Sequence, residues 1–103
     1  MKRFEVEFLP QAAADLLGLY DFIAQISGRG IAEGYLRRIE ATCESLGRFP
    51  HRGTARDDIR PGFRTMGFER RATIAFQIQG GKVLIARIFY GGRDYETLLR
   101  SQP

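Results

Sequence analysis

The sequence predicts an α+β domain in the order β-α-α-β-β-β: an antiparallel sheet covered on one face by a helical hairpin. Three observations lead there. Two stretches of helical period lie back to back with only Ser27-Gly28-Arg29-Gly30 between them, a break short enough to turn one helix against the next. Three apolar runs follow Gly62, separated by tight turn signals, so neighbouring runs pair antiparallel. The chain has 103 residues, which makes residues 1–103 one small domain with a modest core suited to two packed layers.

Each element has its own warrant. Phe4, Val6 and Phe8 alternate with Arg3, Glu5 and Glu7, the pattern of a half-buried strand. Leu9-Pro10 stops it, and Pro10 suits the first turn of a helix, where its missing N–H costs nothing. No Ser, Thr, Asp or Asn precedes it as a side-chain cap. Ala13, Leu16, Leu17, Tyr20, Ile23 and Ala24 then recur at helical spacing and form the expected core stripe; Leu19, Phe22 and Ile26 lie off it. In the second helix Ala32, Tyr35, Leu36, Ile39, Cys43 and Leu46 share one face. Gly47 fits the residue after a helix end, and Pro50 prevents continuation.

His51 to Gly62 is a polar loop rich in arginine. Phe63 to Met66 forms a short strand, Gly67-Phe68-Glu69 a turn, and Arg71 to Ile78 a strand with Ala72, Ile74, Phe76 and Ile78 on its core face. Gln79-Gly80-Gly81 is a hairpin turn by composition. In Lys82 to Tyr90, Val83, Ile85, Arg87 and Phe89 alternate with Leu84, Ala86, Ile88 and Tyr90. Both sets are largely apolar, which predicts a central strand buried on both faces. Its one interior charge, Arg87, then requires an ion-pair partner, with Asp94 and Glu69 as candidates. Gly91-Gly92 ends the strand, and Tyr95 to Leu99 is too short to assign between strand and helical turn.

Composition narrows the function classes. No apolar run is long enough to span a membrane, and the first residues lack the apolar segment of a signal peptide, so a cytoplasmic protein is expected. Cys43 is the one cysteine and His51 the one histidine, which leaves no metal-ligand spacing and no internal disulfide. His51, alone in an arginine-rich loop, reads as a surface residue. Gly91-Gly92-Arg93 lacks the phosphate-cradle pattern, so no cofactor is expected. Charge is uneven: residues 1–50 hold six Lys/Arg against seven acids, and residues 51–103 hold ten against five. The basic half suggests a polyanionic partner, nucleic acid or acidic protein, or else a solvated basic surface.

Four segments then acquire a joint meaning. They are Leu46-Gly47-Arg48-Phe49-Pro50-His51-Arg52-Gly53, Gly62-Phe63-Arg64, the Ile74-Ala75-Phe76 strand and Arg87-Ile88-Phe89-Tyr90-Gly91-Gly92-Arg93-Asp94. In this order, and over roughly Phe4 to Leu99, the chain resembles the RelE/ParE superfamily of bacterial toxins, and the last segment resembles the ParE branch most. The resemblance implies the toxin half of a type II toxin–antitoxin module. ParE-like toxins are associated with inhibition of DNA gyrase. RelE-like toxins cleave messenger RNA on the ribosome. Both are held inactive by a cognate antitoxin, here one of ParD type, whose acidic C-terminal segment wraps the toxin and whose N-terminal part binds operator DNA.

The resemblance and the residues together give candidate surfaces. An antitoxin helix packing beside the helical hairpin implies contacts at Leu16, Leu19, Tyr20, Phe22 and Ile26, with Arg71 and Arg87 as cationic partners of its acidic segment. Target contact is expected at Arg60, Arg64, Arg93 and Tyr95. Cleaving RNA by its own 2′-hydroxyl needs a base, an acid and cations at the phosphate. Arg64, Arg71, Arg87 and Tyr90 are the set for that alternative, although arginine is a poor proton carrier. The first reading is therefore an inhibitor that acts by binding and has no catalytic residues. The alternatives are a ribosome-dependent endonuclease and a non-toxic member that acts only in a repression complex with its antitoxin.

Overall fold

A computed structural model describes residues 3–91 and 95–100, with the backbone alone for residues 95, 96 and 98. In chain order the elements are β1 (Glu5–Phe8), α1 (Pro10–Ser27), α2 (Arg29–Ser45), β2 (Thr54–Ala55), β3 (Phe63–Phe68), β4 (Ala72–Gln79), β5 (Lys82–Tyr90) and α3 (Tyr95–Arg100). The helical hairpin and the β3-β4-β5 meander are those expected. The loop from His51 contains the additional short strand β2, and the C-terminal segment is a helical turn.

The sheet has the order β1-β5-β4-β3-β2. Its turn-connected strands are antiparallel, as tight hairpins require. β1 is parallel to β5, pairing Glu5 with Lys82 through Phe8 with Ile85, so the sheet is mixed rather than antiparallel throughout. The physical reason is the connection. No hairpin turn ties β1 to its neighbour, because the chain leaves β1 through two helices before the meander begins, and its direction is free to be parallel. β4, not β5, holds the middle position of the sheet.

The core between helices and sheet contains Ile39, Cys43, Leu46, Ile74, Phe76, Val83, Ile85 and Ile88. A smaller cluster of Phe63, Ala75, Phe89 and Leu99 lies apart from it, with Ile59 and Ala86 packed alongside. β5 is thus buried on both faces, but not by strict alternation. The register jumps from Phe76↔Ile85 to Ala75↔Arg87, which leaves Ala86 as an extra residue in a bulge. A bulge swaps the faces beyond it. Ile88 and Tyr90 join the helix-side core and Phe89 the other cluster, which a period-2 reading assigns the opposite way.

Further positions differ from expectation. Leu19 lies off the predicted stripe of α1 yet is 6% exposed, whereas Leu17, predicted to be core, is 71% exposed. A polar residue at Leu19 therefore disrupts the fold and does not probe a surface. Gly47 is glycine because of a close approach and not because it caps a helix: a Cβ there meets the Phe4 carbonyl oxygen at 2.7 Å, where β1 enters. The β3–β4 turn is one step later than predicted. β3 runs on to Phe68, and the central turn residues are Glu69 and Arg70, both at positive φ.

Candidate protein-docking face

α1 determines where the site lies. It carries Leu16, Leu17, Leu19, Tyr20, Phe22, Ile23 and Ile26, more large apolar side chains than one stripe of helical period can bury. Ala12, Leu19 and Ile23 are the buried residues of this helix. Leu17, Ile26 (67% exposed) and Phe22 (49% exposed) stay outside. α1 has two acids, Asp15 and Asp21, and no lysine or arginine, although the chain as a whole is basic.

An open cleft lies on each flank of this helix. One, of about 360 Å³, runs between α1 and β5 and is lined by Ala14, Gly18, Leu19, Phe22, Ile88 and Tyr90, with Asp15 among them. The other, of about 480 Å³, is lined by Phe8, Ala13, Leu16, Leu17, Tyr20 and Leu36, with Glu40 as its one charged group. Gly18 costs an exposed helix interior about 1 kcal/mol relative to alanine. A Cβ there meets nothing within 4 Å, so internal packing gives no reason for the glycine.

The floor of the first cleft is fixed by a buried ion pair. β1 stops at Phe8, opposite Ile85, so the edge of β5 beyond that point lacks a neighbouring strand. The Asp15 carboxylate takes that place. Its Oδ2 accepts from the Ile88 backbone N–H at 2.9 Å and from Arg87 Nε at 2.8 Å, and its Oδ1 accepts from Arg87 Nη2 at 3.1 Å. Both side chains are about nine-tenths buried, and the Arg87 guanidinium also lies 4.8 Å from the Phe89 ring centre. Removing one member strands a buried charge, at about 3–5 kcal/mol. Arg87 therefore pairs with a residue on α1 and not with Glu69, which is held by Arg38 at 2.8 and 3.1 Å. Asp94, the other partner considered, lies outside the described residues.

The far end of the same cleft is aromatic. Phe22 meets Tyr90 edge-on at 5.8 Å, Tyr90 meets Tyr35 at 5.9 Å, and Tyr35 meets Phe68 at 5.4 Å. These edge-to-face contacts follow the ring quadrupoles. The Tyr35 hydroxyl is buried and has no hydrogen-bond partner among the described residues. Burial pushes the Tyr35 phenol up to about 12, with Tyr90 and Glu69 adding to it. Burial likewise pushes the Cys43 thiol up to about 12, so that cysteine is an inert core residue.

The remaining candidates are dispersed. Arg64 is half-buried and donates to the Arg52 and Gly53 carbonyls at 2.8 and 3.4 Å, bracing the loop before β2. Arg60 reaches the Leu99 carbonyl at 3.5 Å and lies over the Phe63 ring. Asp58 joins Arg56 to Arg100, whose Nη2 approaches it at 2.6 Å, and so pins α3. The Arg56 guanidinium, with help from Arg100, holds the Asp58 carboxyl well below the usual carboxylate range. Arg93 lies outside the described residues, as does the side chain of Tyr95. Of the set considered for RNA cleavage, Arg71 and Tyr90 are neighbours, linked by Gly91 N–H donating to the Arg71 carbonyl. Arg64 pairs with Phe76, four residues along β4 from the Ala72↔Tyr90 pair and about 13 Å away. Arg87 is occupied by Asp15. The four do not converge.

Among the described residues no group of His, Cys, Asp and Glu is placed to hold a metal ion, and no helix is long and apolar enough to cross a membrane. Sequence reasoning missed Leu17, Gly18 and Asp15. The surplus of apolar residues in α1 signals that some stay exposed but does not single out Leu17; Asp15 had no signal, since its partner is 72 residues away.

Comparison with known proteins bears on this face. Residues 6–95 match the family model of the ParE toxin of the type II toxin–antitoxin system parDE. Toxin ParE3 of Caulobacter vibrioides is 32% identical over 79 residues, 77% of this chain and 78% of that protein. A solved structure of a chromosomal ParDE toxin–antitoxin system from P. aeruginosa superimposes with a TM-score of 0.75 at 27% identity, covering 86% of this chain and 97% of the other.

Proposed function

The chain belongs to the ParE toxin family of type II toxin–antitoxin systems, and from that membership we propose that it inhibits DNA gyrase by binding and is neutralised by a ParD-like antitoxin seated along α1. The observation that carries the antitoxin half is the exposed apolar face of α1, with Leu17, Phe22 and Ile26 outside the core and a cleft on either flank. An apolar helix face of this kind suits a partner segment that buries it. Leu16 and Tyr20 belong to the same surface through the second cleft, and Leu19 supports it from below.

Inhibition by binding, rather than catalysis, is supported by the dispersal of the arginines. The target contact proposed is at Arg60 and Arg64, which brace the segment around β2, together with Arg93 and Tyr95. Operator DNA is contacted through the antitoxin, and the complex works in the cytoplasm. The test is gyrase supercoiling with purified, antitoxin-free protein, run beside ribosome-dependent cleavage of messenger RNA. Blocked supercoiling with intact RNA is the expected result. Cleaved RNA with normal supercoiling contradicts it and returns Arg71 and Tyr90 as catalytic residues. Inertness of the antitoxin-free chain in both assays, when the same preparation binds added antitoxin, assigns the chain to repression alone.

A further inference from the structure

The sheet carries its smaller core on the face turned away from the helical hairpin. Ile74 and Phe76 flank Ala75, and Ile88 and Tyr90 flank Phe89; those four pack in the core beneath the helices. Ala75 and Phe89 therefore point the other way. There they meet Phe63 and the Leu99 side chain of α3, each at most 2% exposed. Of the α3 side chains described, Leu99 is buried, and Thr97 and Arg100 are exposed.

The two sides of this contact are fastened unequally. The receiving segment is closed on itself: the Arg56 N–H donates to the Phe63 carbonyl at 2.8 Å, the Phe63 N–H to the Arg60 carbonyl at 3.1 Å, and the Gly62 N–H to Asp57 Oδ1 at 2.9 Å. Arg56 holds Asp58 there with two hydrogen bonds of 3.0 Å. α3 has six residues, too few to be stable as a helix by itself. It depends on the Leu99 side chain, on Arg100 Nη2 donating to Asp58 Oδ2 at 2.6 Å, and on the Leu99 carbonyl accepting from Arg60 at 3.5 Å. Burying one leucine favours docking about ten- to 100-fold. An ion pair as exposed as Arg100–Asp58 adds up to about five-fold. The entropy of ordering the segment opposes both. The balance is far smaller than the one that keeps a whole domain folded.

We propose that α3 is a releasable strap, which opens and closes on the back of the sheet while the rest of the domain stays folded, with Leu99 as its peg and Asp58 as its clasp. Opening uncovers Phe63, Ala75 and Phe89 together and takes the Leu99 carbonyl away from Arg60. One step thus presents an apolar patch beside the guanidinium that lies over the Phe63 ring. The C-terminal segment is thereby coupled to the segment from Arg56 to Phe63. The strap is a property of the fold alone and stands whether or not the chain acts on gyrase.

The test is native-state hydrogen exchange on the full chain, in urea kept below the unfolding transition. The Leu99 and Arg100 amides should exchange about 100-fold faster than those of Ile74 and Phe76 in β4, at a rate that urea barely changes, as a local opening does. Ile39→Val weakens the main core and should speed the β4 amides about five-fold while leaving the α3 amides as they were. Asp58→Ala and Arg100→Gln should each speed the α3 amides about two- to five-fold, and the double variant no more than Asp58→Ala alone, since both remove one contact. Leu99→Ala should speed them about ten-fold or more. Exchange of α3 in step with β4, in urea or in Ile39→Val, overturns the proposal, because α3 then opens only when the domain unfolds. Unchanged α3 exchange in Asp58→Ala overturns the clasp, and unchanged exchange in Leu99→Ala overturns the peg.

Discussion

α1 and α2 lie side by side and are almost equal in length, 18 and 17 residues, yet they use apolar residues differently. In α2, Ala32, Tyr35, Ile39 and Cys43 recur at helical spacing and are buried, and Glu33, Arg37, Arg38, Glu40 and Glu44 face water. Apart from Ile31 in its first turn, the core alone accounts for the pattern. In α1 the apolar residues run round the helix, and those the sheet does not take remain exposed. The difference is one of number. Where apolar residues match a single stripe, periodicity and burial agree; where they exceed it, the surplus stays exposed, and that exposure is the ground for the docking face proposed above.

Substitutions can break this comparison at its strongest point first. Asp15→Ala leaves Arg87 buried without its partner and frees the Ile88 N–H, and should cost about 4 kcal/mol in urea unfolding. A loss below about 1 kcal/mol shows that the pair does not join α1 to β5. Ile39→Ala on α2 removes a fully buried side chain and should cost about 3 kcal/mol, while Leu17→Ala on α1 should change stability by less than about 0.5 kcal/mol. Equal losses at the two sites would erase the distinction between the helices.

A smaller effect separates them by pH. Tyr35 and Cys43, both on α2, have folded-state values raised to about 12 from ordinary values of 10.0 and 9.0. Each favours the folded state fully below its ordinary value and loses that contribution as pH rises towards 12. Stability should therefore fall from about pH 9 upwards. Urea midpoints at pH 8, 10 and 11 should decline less steeply in Tyr35→Phe, and identical slopes for the two proteins remove Tyr35 as a cause.

The same contrast explains what could be read from the sequence. The hairpin, the meander and the α2 stripe were legible because each depends on local period and turn chemistry. β4 keeps its period, with Ile74, Phe76 and Ile78 on the core side. β5 loses it at Ala86, since a bulge is settled by pairing with β4 and not by its own residues. The parallel seat of β1, the close approach at Gly47 and the Asp15–Arg87 pair all join residues far apart in sequence, and no periodicity announces them. Of the exposed apolar residues of α1, Phe22 and Ile26 were legible as residues off the stripe. Leu17 was not, because its position on the helix suits the core as well as the surface, and only the crowding of the other side chains excludes it.

The most direct test of the account is the affinity of the antitoxin for a Leu17→Ser, Phe22→Ser double variant, measured by titration calorimetry together with its urea midpoint. Both residues are exposed and flank the two clefts. Binding weakened by about 100-fold with an unchanged midpoint is the predicted result, in keeping with central apolar anchors of an interface. Wild-type affinity with intact folding would contradict the assignment of α1 as the antitoxin-binding face.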